Sequence, residues 1–110
     1  MTARRLTPGM MRALEPYLPV LIAGWLRASE DGGSVHCPLC AKVGAACWRC
    51  PVFARVAARD DAQRRVCFGY FAEAEAYHLR GDRRNAAATV KRLEAVQRWL
   101  AKDKEAKPGG

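Results

Sequence analysis

HCPLCAKVGAACWRCP, residues 36–51, sets two Cys-x-x-Cys pairs six residues apart in a chain with five cysteines in all. Two intervening residues let both sulfurs of a pair face one ion, while nearby backbone N–H groups stabilise their charge. Cys37 with Cys40, and Cys47 with Cys50, are two such claws. Gly44 lies between them and can take positive φ, which helps the chain reverse so that the claws meet. Four thiolates around one Zn²⁺ at about 2.3 Å make a closed structural site with no open position for substrate. The leading expectation is therefore one structural zinc ion on Cys37, Cys40, Cys47 and Cys50.

Other chemistries use the same residues. An iron–sulfur cluster also takes four cysteines, and Pro51 after Cys50 echoes a ferredoxin-type ending, although the C-x₂-C-x₂-C core is missing. A redox dithiol is served by one Cys-x-x-Cys, with Cys50 ahead of a helix as the activated thiol, which leaves the second pair unexplained. The linker is shorter than the roughly 15–20 residues of zinc ribbons, so a ribbon is not implied. His36 and Cys67 are the alternative ligands. Adjacent residues seldom both face one ion, so His36 is expected to be exposed, and Cys67 reads first as a small buried hydrophobe.

Outward from this loop the pattern is helical. Thr7 as N-cap with Pro8 in the first turn starts a short helix to about Glu15. Pro16 and Pro19 break and restart it, and Leu18, Leu21, Ile22, Trp25 and Leu26 recur as a buried stripe before Gly32 and Gly33. On the other side, Pro51 opens a helix with Val52, Phe53 and Val56 inward, ending near residues 60–61. A further helix is expected over 62–80, kinked at Gly69. Gly81 and Asp82 end it and cap the last helix, about 83–103, lined by Ala86, Val90, Leu93, Val96 and Leu100. Strand-like alternation is nearly absent, so any sheet is a small hairpin within 34–48. The expected fold class is mainly α. It is a small helical domain over residues 1–106, with a short four-cysteine zinc loop and a C-terminal helical hairpin, followed by a disordered tail over 107–110.

The run Cys37-x-Leu39-Cys40, Cys47-x-x-Cys50-Pro51-Val52, Cys67-x-Gly69-Tyr70 resembles a loose group of small cysteine-rich proteins encoded by bacteriophages and prophages, mostly without assigned function. The resemblance spans residues 37–70. It implies a bacterial or phage setting and a bound metal, with Cys67 part of the pattern, and it supplies no activity. The basic stretch 55–65 and the long last helix carry no inference from it.

The formal net charge is +8, and a tetrathiolate zinc site would leave it at roughly +6. Such a surface favours anionic partners. At about 100° per residue, Arg84, Lys91, Arg98 and Lys102 fall near one line, opposite the apolar stripe of the last helix. A solvated helix back is the plainer alternative, since Glu94 stands four residues before Arg98. Trp48 and Arg49, between two ligands, add an aromatic and a cation suited to stacking on bases or to a protein interface. No phosphate loop, nucleophile elbow or zinc-protease helix is present, and Glu73 and Glu75 at i,i+2 do not face each other on a helix. The apolar run 20–26 is too short to span a bilayer and is interrupted by neighbouring prolines and Arg27. The expectation is a cytoplasmic, non-enzymatic zinc protein with no membrane role. It would engage a host protein or nucleoprotein as an inhibitor or regulator, with direct DNA or RNA binding and thiol redox chemistry as alternatives.

Overall fold

The computed structural model describes residues 5–35, 37, 38, 49–54, 67 and 70–105. Helix α1, Pro8–Leu14, starts as its sequence predicts: the Thr7 side-chain oxygen accepts from the Met10 N–H at 3.2 Å, with Pro8 in the first turn. Pro16 has no N–H to continue the ladder, and the chain tightens into a 3₁₀ turn over Glu15–Tyr17. Helix α2, Leu18–Asp31, then runs to Gly32, whose φ of 76° stops the helix as its N–H donates to the Ala28 carbonyl.

The buried stripe of α2 is narrower than expected. Leu18, Leu21, Trp25 and Ala28 are buried, while Ile22 is half-buried and Leu26 is 46% exposed. A 3-4-3 spacing already fills the single face that packs on the rest of the fold, and Leu26 stands about 100° round the helix from Trp25.

The helix expected over 62–80 is also corrected. Helix α3 covers Ala72–Arg80 only, and Phe71 ahead of it is non-helical at φ −130° and ψ 68°. The Cys67 carbonyl accepts from both the Tyr70 and Phe71 N–H groups at 2.9 Å, forming a turn. The physical reason is burial. Tyr70 and Phe71 are neighbours in sequence and both are buried, and the non-helical Phe71 lets both rings enter the core, with Tyr70 tilted on Phe53 at 5.2 Å between centroids. Likewise Pro51–Ala54 forms a turn, closed by the Ala54 N–H on the Cys50 carbonyl, with Val52 and Phe53 inward as expected. Residues 55–66, Gly69 and the tail from 106 lie outside the described residues.

Gly81 ends α3 in the left-handed region, at φ 69°. The Asp82 carboxylate then accepts from the Arg84 N–H at 2.9 Å, capping helix α4, Arg83–Glu105. Every expected inward residue of α4 (Ala86, Val90, Leu93, Val96, Leu100) is buried, joined by Thr89, whose hydroxyl donates to the Asn85 carbonyl. The molecule is mainly α, with no strand among the described residues. Helix α4 is its axis: α2 packs most extensively on it, α3 next and α1 at one end.

Polar contacts fasten the periphery. Arg12 of α1 makes two hydrogen bonds to Asp103 of α4, at 3.0 and 3.1 Å, and lies 5.6 Å over the Trp99 ring. Lys104 pairs with Glu15 in the opposite sense. Arg83 reaches the Glu30 carbonyl at 2.7 Å, satisfying an end group of α2. These exposed ion pairs are screened by solvent and add little to stability. The apolar contacts dominate. Leu14, 1% exposed, anchors α1, so Leu14→Ala is expected to lose about 3 kcal/mol in urea unfolding. A loss under about 1 kcal/mol would show that α1 is not part of the core.

Candidate metal loop and basic face

The two ends of the cysteine loop are held by the helical core. Past α2, Val35 packs over Gly24, 3.8 Å from where a Cβ would sit, and the Tyr77 hydroxyl of α3 donates to the Gly33 carbonyl. Tyr77 is itself fixed edge-on to the buried Trp25, 5.4 Å between centroids. Cys37 follows directly and is half-buried. At the far end Cys50 is buried, the first residue of the turn that plants Val52 and Phe53 in the core. Cys37 and Cys50 therefore enter the core from opposite ends of one loop. The half-buried Cys67 packs against the same apolar cluster as Cys37.

Among the described residues no three His, Cys, Asp or Glu side chains gather as a metal-binding set. Cys40, Cys47, His36 and Trp48 lie outside the described residues, as does most of the segment 34–48 in which a strand hairpin was expected. Ser34, Val35, Cys37 and Pro38 are not in strands. Cys37 and Cys50 are soft thiol donors, a ligand type that zinc takes, and both lie against the apolar core.

The second candidate site is the outer side of α4. Arg84, Lys91, Arg98 and Lys102 are all exposed, as their spacing predicts. They are not equivalent. Arg84 turns back on Asp82, 3.2 Å between guanidinium and carboxylate. Hydrogen bonds from the Arg84 backbone N–H and then its side chain hold the Asp82 carboxyl below its ordinary range. No ion pair among the described residues engages Lys91, Arg98 or Lys102, and the Glu94–Arg98 pair suggested by sequence does not form. Ala95 stands between Lys91 and Arg98 about 40° off their line, and the exposed Glu94 about 60° off it on the other side. Arg49 is exposed beside Cys50. Arg55, Arg59, Arg64 and Arg65 lie outside the described residues.

His78 is exposed, with its ring 5.6 Å from Trp25 and 5.9 Å from Tyr77, a surface cover for the aromatic pair. The polar pair that joins α3 to α4 is invisible in the sequence, as are Arg12–Asp103 and Lys104–Glu15. Glu73 of α3 takes two hydrogen bonds from the Arg92 guanidinium of α4, one at 3.0 Å. Nineteen residues separate them, so no local spacing could pair them. Burial alone would raise the Glu73 carboxyl, but the bonds from Arg92 and from its own backbone, with the charge of Arg92, bring it below its usual range.

No family model matches the chain, and neither does any curated protein or solved structure. Among the described residues no helix is long and apolar enough to cross a membrane.

A depressed carboxyl stabilises the fold above the unfolded pKa, about 4.3 for Glu, and the contribution is lost as pH falls through the lower folded value. Glu73→Gln is expected to cost about 0.5 kcal/mol at pH 7, small because solvent screens the half-exposed pair. The variant should also show a shallower loss of stability than the parent below about pH 4.5. Chemical denaturation at pH 7 and at pH 3 checks both, and identical pH profiles for the two proteins would contradict them.

Proposed function

We propose that the protein is a non-enzymatic zinc-binding accessory protein, of phage or prophage origin by its cysteine pattern, that engages a host protein or nucleoprotein through the basic side of α4. In this reading Zn²⁺ on Cys37, Cys40, Cys47 and Cys50 closes the loop between α2 and the Val52–Phe53 turn. It pins the N-terminal helical unit against the hairpin of α3 and α4. The observation that carries the proposal is the contrast along one helix. Cations at the flanks of α4 are tied to neighbours, Arg92 to Glu73 and Lys104 to Glu15, whereas Lys91, Arg98 and Lys102 point outward with no ion pair among the described residues. Such a row is an unsatisfied electrostatic surface, and an anionic partner completes it.

Thiol redox chemistry is less well supported. A reactive cysteine needs a thiolate within reach of its substrate, and Cys50, the thiol that precedes a helical turn, is 7% exposed.

Two measurements test the proposal. Metal analysis of purified protein should return one zinc per chain, and Cys50→Ser should lose it and melt lower. Iron with visible absorbance would point to a cluster, and metal-free protein of unchanged stability would remove the clamp. Separately, the wild-type chain should recover a partner complex from bacterial lysate that the triple change K91E/R98E/K102E does not. Equal recovery by both would reject the α4 surface.

A further inference from the structure

The exposed cations of α4 have a chemistry narrow enough to select one kind of partner. Lys91, Arg98 and Lys102 lie within about 40° of one line and span about 16 Å of helix, the axial rise of about five base pairs. Between Lys91 and Arg98, Ala95 stands about 40° off their line and the exposed Glu94 about 60° off it on the other side, so no bulky side chain occupies the line itself. The row holds no aromatic or large aliphatic residue. Trp99, the aromatic of this helix, is half-buried and has Arg12 over its ring at 5.6 Å.

Each absence from the row discriminates. Protein interfaces are anchored by aromatic and apolar residues and are depleted in Lys, so an acidic protein face finds charge here but no anchor. Single-stranded nucleic acid is held by stacking bases on aromatic rings, and the row offers none. Duplex RNA is recognised mostly by shape, through 2′-hydroxyl and phosphate contacts across successive grooves over about 16 base pairs, a reach well beyond this short row. The backbone of duplex DNA asks only for correctly spaced cations. Arg84, tied to Asp82, stays outside the set.

We infer that α4 binds the sugar–phosphate backbone of double-stranded DNA without regard to sequence, through Lys91, Arg98 and Lys102. The inference rests on the reading of this side of α4 as the partner-binding surface and names the component it touches. With three phosphates neutralised, the slope of log affinity against log salt is about −2.7, so binding weakens about 40-fold between roughly 50 and 200 mM salt.

The test is a fluorescence-anisotropy titration of the full chain against a labelled random-sequence DNA duplex over that salt range. Lys91→Gln, Arg98→Gln and Lys102→Gln should each reduce the steepness by about 0.9. Arg27→Gln, which removes the same charge from an exposed position on α2, should leave the slope unchanged. All four variants should retain the far-UV circular dichroism and melting temperature of the parent. A slope change in R27Q equal to that in R98Q overturns the inference in favour of attraction by net charge. Tighter binding to single strands or to duplex RNA overturns it as well. A protein that ignores duplex DNA at about 50 mM salt but binds polyglutamate through the same three residues overturns the DNA assignment and leaves the basic-surface reading standing. Binding to neither polymer, with no partner captured from lysate, overturns both.

Discussion

The packing of α2 against α4 fixes everything else in the molecule. Leu18, Leu21, Trp25 and Ala28 on one helix and Ala86, Val90, Leu93, Val96 and Leu100 on the other are all buried. At about 25 cal/mol per Å² of apolar surface withdrawn from water, these side chains outweigh the peripheral ion pairs. Burying one side of α4 also decides what its other side must do. With the apolar stripe committed to α2 and α3, the line through Lys91, Arg98 and Lys102 is forced outward, about 180° away. The basic surface is a geometric consequence of the core.

The rest of the structure is tied to that pair of helices by short-range devices of different chemistry. At one end of α4, Arg12 and Glu15 reach Asp103 and Lys104 with opposite polarity, so α1 and the 3₁₀ turn are held by charges that cannot be exchanged for one another. Nearer the other end, Glu73 and Arg92 lock α3 to α4, and Tyr77 bridges to the segment leaving α2. This last contact matters for the cysteine loop. It fixes Gly33 on α3, while Val52 and Phe53 fix the return in the core, so the loop leaves and re-enters the helical frame. A metal held by thiolates from such a loop would act as a clamp on an existing fold.

Punctuation was the most legible part of the sequence. Thr7–Pro8, Pro16, Gly32 and Gly81–Asp82 each act through local backbone chemistry, an N-cap, a missing N–H or a positive φ, and each stands where the structure starts or stops a helix. The inward side of α4 was legible too, because a long helix repeats its period several times. Less could be read where tertiary packing overrides propensity. Residues 70 and 71 sit in a stretch of helix-compatible composition, yet burial of two adjacent rings requires a non-helical Phe71. Leu26 fits the helical period but lies at the edge of a side that four other residues fill. The Glu73–Arg92 and Arg12–Asp103 pairs join residues far apart in the chain and leave no trace in local spacing. At the candidate sites, sequence placed Arg84 with the other cations but gave no sign that Asp82 would claim it. Cys40 and Cys47, expected as metal ligands, and the aromatic Trp48 lie outside the described residues.

On this proposal α4 is a two-sided helix, its inner side closed by α2 and α3 and its outer side available to an anionic ligand. Amide and methyl chemical-shift mapping during titration with a short DNA duplex addresses both sides at once. Shifts are expected to concentrate at Lys91, Ala95, Arg98 and Lys102, with the Trp25 indole and the Leu93 methyls unmoved. Shifts spread through the α2–α4 core, or centred on α2 with the outer side of α4 silent, would contradict it.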